Sequence, residues 1–259
     1  MPIVLEICVD SVESAVAAEA GGADRIELCE ALDVGGLTPS DALLREVRAA
    51  VRLALFVIVR PRAGSFTYTP QELDAMHSGL ERARGLGADG VVLGALTSGG
   101  EVDVEAVRRL VEAARPMRVT FHRAFDASAN LARSLEQVIA TGADHLLTSG
   151  AGHTAAQATH RLADLVRSAR GRIQIMAGGG VRQSNARGLV LATGVRAVHT
   201  SLGFGDGDGA ATNDHAGHNH APQFIVKAAD VRAMRTMLEE IEVSSAQGMA
   251  VEATASRGD

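Results

Sequence analysis

Two short segments near the start of the chain each carry a glutamate and a cysteine two residues apart. Glu6 and Cys8 belong to the first segment, Glu27 and Cys29 to the second, and these are the only two cysteines of the sequence. Residues i and i+2 of a β-strand point to the same face, so each segment places a carboxylate beside a thiol. If the two strands are neighbours in a parallel sheet, both pairs converge as a buried polar layer or as the floor of a site.

The two residue types suggest different chemistry. The cysteines can together bind a soft ion such as Cu(I), which prefers thiolates, although buried free cysteines also serve as small hydrophobic residues. The paired carboxylates Glu6 and Glu27 suit acid/base or metal chemistry, or they form salt bridges with arginines. Because each glutamate precedes its cysteine, we expect the glutamates one layer deeper in the fold, near Arg60.

Arginine and histidine follow two later predicted strands. Arg60 and Arg62 share strand parity, and arginine pairs suit carboxylate or phosphate groups; their alternative role is to neutralise the glutamates. His122 is a candidate general base, or a core histidine bonded to a carboxylate. Asp126 is a further catalytic candidate, unless it only begins the next turn. Arg123 and Ser149, at the ends of the fifth and sixth strands, are added as anion-binding candidates.

Two further motifs are weaker. The triple glycine Gly178, Gly179 and Gly180 follows the seventh predicted strand, where barrel enzymes commonly bind phosphate through backbone N–H groups; a tight turn without a ligand is the alternative. The histidines His215, His218 and His220 form a short tract that can bind metal weakly or simply be solvated.

The elements that position these residues follow from an internal repeat. The pattern Gly-Ala-Asp followed by a short apolar run occurs at 22–28, 87–93 and 142–148, with a weaker copy at 194–200. Each copy reads as a helix ending at glycine, a polar turn and a strand. Four more strands are predicted at 3–9, 54–60, 118–122 and 172–176, with amphipathic helices between all of them. Strands that alternate with helices form parallel βα units, and eight such units predict a (β/α)8 TIM-type barrel rather than an open doubly wound sheet.

We expect one domain, a barrel over 1–243. Thr38 and Thr69 precede prolines and are predicted N-caps. Residues 203–222, rich in Gly, Asp and His, are predicted to form a loop after strand eight; a last helix spans 224–243, and 244–259 is expected to be a frayed tail.

Composition excludes several classes of partner. The 259 residues are 46% hydrophobic but only 3% aromatic, and the net charge is -6. An acidic chain is not expected to bind nucleic acid or anionic membranes nonspecifically, and no stretch is long and apolar enough to span a bilayer. The N-terminal residues lack a signal-peptide layout. Together with two free cysteines this predicts a cytoplasmic protein.

With these segments placed, the chain closely resembles the CutC family of copper homeostasis proteins. The matching motifs are LEICVDS at 5–11, GGADRIELC at 21–29, GGLTPS at 35–40, RPR at 60–62, GALT at 94–97, TFHRAFD at 120–126, LTSG at 147–150 and MAGGG at 176–180. The resemblance implies a cytoplasmic TIM-like barrel that self-associates as a homo-oligomer. It also implies a Cu(I) site at Cys8 and Cys29. The chain departs from the family pattern at Ala177, where a proline is usual, and in its histidine-rich loop.

Two hypotheses of function result. The first is a copper-handling protein with Cu(I) bound by the two cysteines. The second is a barrel enzyme of unknown reaction acting on a small anionic substrate, such as a phosphorylated one. In that case the arginines and glycines hold the anion, while Glu6, Glu27 or His122 moves protons. The arginine, histidine and glycine residues favour a role beyond copper, because two thiols need none of them to bind Cu(I).

Overall fold

The computed structural model describes residues 2–202 and 225–255, with side chains through residue 244. Eight parallel strands close into a barrel in which each strand pairs with the next and β8 pairs with β1. The predicted barrel is therefore confirmed. The strands are β1 Val4–Val9, β2 Arg25–Leu28, β3 Ala54–Ile58, β4 Gly90–Leu93, β5 Arg118–Phe121, β6 His145–Thr148, β7 Gln174–Ala177 and β8 Ala197–Thr200.

A helix follows every strand and packs outside the barrel. The helices are α1 Val12–Gly21, α2 Asp41–Ala50, α3 Pro70–Gly85, α4 Val104–Ala114, α5 Leu131–Ala140, α6 Thr159–Ala169, α7 Gln183–Thr193 and α8 Ala228–Ala255. None of the helices in the described parts of the chain is long and apolar enough to cross a membrane.

Alternation along each strand separates the apolar core from the barrel interior. On β1, Leu5, Ile7 and Val9 are fully buried in the main hydrophobic core. Glu6 and Cys8 lie between them and point to the other face. β1 thus presents its apolar residues to the helices and its polar residues to the interior, where Phe56, Ile58 and Val92 of β3 and β4 form a separate apolar cluster with the cysteines.

Two helix boundaries test the predicted caps. Thr69 caps α3 through a complete capping box with Glu72, as predicted. The prediction for Thr38 was wrong: α2 begins at Asp41, and Ser40 is its N-cap. The Thr38 hydroxyl instead bonds the backbone of Arg60, donating to its carbonyl at 3.0 Å and accepting from its N–H at 2.8 Å. Thr38 therefore holds the end of β3 rather than a helix.

The last helix extends past its predicted end at 243 and continues to Ala255. Residues 244–255 contain alanine, glutamine, methionine and glutamate and no proline, a composition compatible with helix. The expected loop over 203–222, including His215, His218 and His220, lies outside the described residues.

Candidate functional site

A cavity of about 630 Å³ opens at the carboxyl ends of the strands. That is within the usual range for small-molecule sites, and it is the end of the barrel where active sites of this fold lie. The strands contribute Cys8, Glu27, Ile58 and His199 to its lining, together with Cys29 just after β2.

Below the cavity, a buried ion cluster fills the barrel interior. Strand register places Glu6 opposite Arg25 on β2 and opposite His199 on β8. Glu6 is completely buried; its Oε2 lies 2.5 Å from Arg25 Nε, and its Oε1 lies 2.6 Å from His199 Nδ1. Burial alone would raise the pKa of Glu6, but Arg25 and His199 lower it to about 2. Glu6 is thus a permanent anion that compensates two cations.

The partners of Glu6 correct one expectation. The glutamates were expected near Arg60, yet Arg25 is the arginine that pairs with Glu6. Arg25 also lies over the Phe56 ring at 4.3 Å, and its Nη2 is 3.3 Å from Met176 Sδ. The signal for Arg25 was present in the sequence, because it shares strand parity with Glu27 and Cys29.

His199 connects this cluster to the cavity. Its Nε2 lies 3.5 Å from Glu27 Oε2. The side chains of His199, Glu27 and Cys8 each offer one potential metal-ligand atom, and these three atoms lie within 4.8 Å of one another. Burial opposes protonation of His199, but Cys8, Glu6 and Glu27 raise its pKa well above the ordinary value. Burial, reinforced by Glu6, raises the pKa of Glu27 to about 7. Glu27 therefore remains a candidate for proton transfer near neutral pH.

The two cysteines are neighbours, as their spacing predicts. Cys8 Sγ and Cys29 Sγ are 3.5 Å apart, and both thiols are free. Hydrogen bonding to Cys29 and burial raise the pKa of Cys8 well above its usual value. Phe56, Ile58 and Val92 pack around the pair. A metal ion binding here would therefore displace protons from the thiols.

Arg60 lines the cavity, but not as a partner of the glutamates. Its Nη1 donates to the carbonyls of Val34 at 2.9 Å and Gly36 at 3.1 Å, and its Nη2 donates to Gly64 at 3.2 Å. Gly35 and Gly36 adopt φ values of +86° and +83°, and a Cβ on Gly36 would lie 3.3 Å from the Cys29 side chain. These glycines let the loop after β2 close over both Arg60 and Cys29.

The structure does not bring Arg62 to the cavity. Its Nε lies 2.5 Å from Glu72 Oε1, and its Nη atoms donate to the carbonyls of Ser65 and Thr67 at 2.8 Å each. Shared strand parity predicted that Arg60 and Arg62 face the same site, but β3 ends at Ile58. Beyond the end of a strand, alternation no longer fixes direction.

His122 lies in the cavity wall and is almost completely buried. Burial and the nearby charge of Arg60 lower its pKa to about 3. Its Nδ1 accepts a hydrogen bond from the Ala124 N–H at 3.2 Å, which places the proton of the neutral ring on Nε2. This arrangement suits a hydrogen-bond donor to a ligand better than the predicted general base.

Asp126 organises the loops rather than facing the cavity. It accepts hydrogen bonds from the Thr148 hydroxyl, from the N–H groups of Ser149 and Ala151, and from Arg123 Nε at 2.8 Å. Although burial would raise its pKa, these donors lower it. Asp126 thus joins the ends of β5 and β6 and orients Arg123, which lines the cavity. Ser149 accepts from Arg123 at 3.2 Å.

The glycines after β7 allow close packing beside Arg123. A Cβ on Gly178 would lie 2.4 Å from Leu147, and one on Gly179 would lie 3.2 Å from the Arg123 guanidinium. Gly179 and Gly180 line the cavity with φ values of +96° and +67°. This segment therefore meets Arg123 where an anion site was predicted. His153, Arg182 and Asn185 also line the cavity, and sequence patterns gave no signal for them.

Comparison with known proteins identifies the family. The model of the CutC family matches residues 3–204. The chain belongs to the CutC family. A family protein CutC from Xanthomonas campestris pv. campestris strain B100 is 49% identical over 197 residues, which cover 76% of this chain and 82% of that protein. The human copper homeostasis protein cutC homolog is 43% identical over 197 residues, covering 76% and 72%.

Solved structures agree with this family assignment. The CutC crystal structure from Streptococcus agalactiae matches with a TM-score of 0.73 and 32% identity, covering 77% of this chain and 98% of that one. A thiamine phosphate pyrophosphorylase from Pyrococcus furiosus matches with a TM-score of 0.60 at 20% identity, covering 92% and 96%, and this similarity shows the barrel fold alone. Copper homeostasis is the role that the names of the human relative and of the Streptococcus agalactiae protein give to those two proteins.

Proposed function

We propose that this CutC family member binds Cu(I) as cargo through Cys8 and Cys29. The observation that carries the proposal is the pair of free thiols with sulfur atoms 3.5 Å apart beside the cavity. Thiolates are the protein ligands that favour Cu(I). His199 lies next to Cys8 and offers a third donor once its proton is lost.

The surroundings of the thiols suit capture and release of a cation. Glu27 lies beside Cys8 and offsets part of the positive charge of a bound ion. Because both thiols must lose protons, Cu(I) affinity is expected to rise with pH, and the raised pKa of Cys8 extends that rise to higher pH.

The proposal includes a cytoplasmic location. Two thiols this close would oxidise to a disulfide in a secretory compartment, whereas glutathione and thioredoxin keep cytoplasmic thiols reduced. Rapid alkylation of intact cells, followed by mass spectrometry, should find both cysteines modified as free thiols. A disulfide between them in growing cells would contradict this part of the proposal.

The test of the copper site is an anaerobic Cu(I) titration against a competing chromogenic chelator. The wild type is compared with Cys8→Ser/Cys29→Ser and with a control in which His215, His218 and His220 are replaced by alanine. We expect the double cysteine variant to lose the tight site and the histidine variant to keep it. Unchanged affinity in the cysteine variant would overturn the proposal, and loss only in the histidine variant would place the copper site at the three histidines instead.

A further inference from the structure

Arg60 is a buried cation without a carboxylate partner in the described part of the chain. It is 5% exposed, and its guanidinium donates hydrogen bonds to the loop carbonyls of Val34, Gly36 and Gly64. No described Asp or Glu lies within 4.0 Å of it, whereas the other buried arginine, Arg25, is paired with Glu6. Buried charges are normally paired, so the position calls for an anion.

His122 presents a second unmatched group on the same wall. It is 4% exposed, and its Nδ1 is occupied by the Ala124 N–H. Its Nε2, which carries the proton, has no hydrogen-bond partner among the residues that the structure describes. Buried polar groups are rarely left unpaired, so this N–H requires an acceptor.

Phe66 brings the two groups together. The Arg60 guanidinium carbon lies 5.0 Å from the centre of the Phe66 ring, and the His122 ring centre lies 5.0 Å from it. All three side chains line the same cavity. A positive charge and an unused N–H donor thus flank one aromatic surface, an arrangement suited to an oxygen anion attached to an organic group.

We propose that the cavity binds a small organic oxyanion, a carboxylate or a phosphate ester, whose oxygens accept hydrogen bonds from Arg60 and His122. A single inorganic ion would leave most of the 630 Å³ empty, and Phe66, Leu32 and Ile58 supply apolar lining for an organic body. Among the described residues of the lining, the arginines Arg60, Arg123 and Arg182 outnumber the one carboxylate, Glu27, which also favours an anion.

This site is separate from the proposed Cu(I) ligands, although both open into one cavity. Arg60 and His122 belong to the end of β3 and the end of β5, and neither is within hydrogen-bond distance of a thiol in the described contacts. The proposal therefore does not rest on copper binding.

Thermal denaturation and calorimetry of the copper-free full chain test the proposal. The probes are glycerol 3-phosphate, malate and inorganic phosphate, with glycerol as the neutral control. We expect one organic anion to raise the melting temperature and to bind more tightly than inorganic phosphate. Preference for glycerol 3-phosphate or for malate decides between phosphate ester and carboxylate.

Matched variants locate the binding. Arg60→Gln and His122→Asn should each weaken binding by about tenfold or more, since each removes a hydrogen bond to a charged group. His122→Gln, whose amide can reach the Nε2 position, should retain most of the affinity. Arg172→Gln, on the surface and paired with Glu136, should leave it unchanged.

Two results would overturn the proposal: no stabilisation by any of the anions at millimolar concentration, or equal affinity in wild type and Arg60→Gln. If Arg60→Gln does not fold, Arg60→Lys and the His122 pair give the same comparison. A nitrogen chemical-shift change at His122 Nε2 on adding the probe to wild type provides a readout that needs no variant. If the wild type binds the anion but has no tight Cu(I) site, the copper proposal fails and this proposal stands.

Discussion

At the scale of single residues, the barrel interior depends on a balance of buried charges. Glu6 faces no solvent and has two cationic neighbours, Arg25 and His199. Removing one partner of a buried pair leaves the other charged and desolvated, which costs far more than the intact pair contributes. The cluster therefore constrains substitution even where it adds little net stability.

Glu6→Gln is expected to lower the free energy of unfolding by about 3–5 kcal/mol, because it leaves Arg25 buried without a carboxylate. Urea denaturation at pH 7 measures the change. Glu136→Gln is the matched control, since it breaks a surface pair with Arg172 and should have little effect. Equal effects of the two substitutions would show that the Glu6 pair is not buried as described.

His122 is expected to make the protein sensitive to acid. Its folded pKa of about 3 lies below the unfolded value of 6.5, so the fold favours the neutral ring. This contribution is fully present above pH 6.5 and is lost as the pH falls towards 3. Wild type should therefore lose stability relative to His122→Gln by up to about 1.4 kcal/mol per pH unit in that window.

Denaturation midpoints of both proteins at pH 7, 6, 5 and 4 measure this difference. Glu6 also loses its contribution as the pH falls from 4.5 towards 2, but it is common to both proteins and cancels. Nitrogen NMR should find His122 neutral at pH 5, with the proton on Nε2. Parallel stability curves, or a charged ring at pH 5, would contradict the prediction.

At the scale of elements, the glycines differ in whether a Cβ at their position would collide with a packed neighbour. Gly178 directly follows β7 and lies against Leu147 and His199, where a Cβ would be 2.4 Å from the leucine. Gly188 lies exposed within α7, and a Cβ there would meet no atom within 4 Å. The same substitution should therefore have opposite effects at the two positions.

Gly178→Ala is expected to destabilise the protein by about 1–3 kcal/mol through overpacking. Gly188→Ala should stabilise it by about 0.4–1 kcal/mol, because alanine restricts the unfolded chain and favours helix. Thermal or urea unfolding of the two variants provides the measurement. A loss of stability in Gly188→Ala would mean that α7 is not exposed at that position.

The apolar periodicity and the repeats predicted every strand, because both depend on interactions between residues that are close in the sequence. The Gly-Ala-Asp copies mark a helix end, a turn and a strand, and each recurs where expected. Thr38 shows the limit: Thr-Pro is a good helix start, yet Ser40 caps α2 because the Thr38 hydroxyl bonds Arg60 instead. Local sequence suits Thr38 and Ser40 equally well as N-caps, and the long-range hydrogen bond from Thr38 to Arg60 leaves the cap to Ser40.

At the scale of the whole molecule, barrel closure decides which polar residues meet. Strand parity correctly placed Cys8 with Cys29, but the partner of Glu6 depended on the pairing of β1 with both β2 and β8. His199 is 193 residues from Glu6, and no local pattern assigns that contact. The protonation state of His122 likewise follows from burial beside Arg60, which sequence cannot measure. Self-association stays a prediction.

The last helix, α8, packs against α1 and α7 and forms hydrogen bonds with the backbone just before β1. Val231, Met234 and Leu238 are fully buried on its inner face. Arg235 donates to the Ile3 carbonyl at 3.1 Å, and Glu242 accepts from the Ile3 N–H at 2.6 Å. The described contacts of α8 with the barrel thus extend as far as Glu242.

Two truncations should therefore behave differently. Removal of 245–259 is expected to leave the unfolding midpoint nearly unchanged, because the inner face of α8 up to Glu242 is kept. Removal of 228–259 exposes the core, and each large apolar side chain lost contributes about 1.5–3 kcal/mol. That sum is comparable to the whole stability of a typical domain, about 5–15 kcal/mol, so this chain should not unfold cooperatively. Circular dichroism melting curves distinguish the two, and a shorter chain that still melts cooperatively would show that the barrel closes without α8.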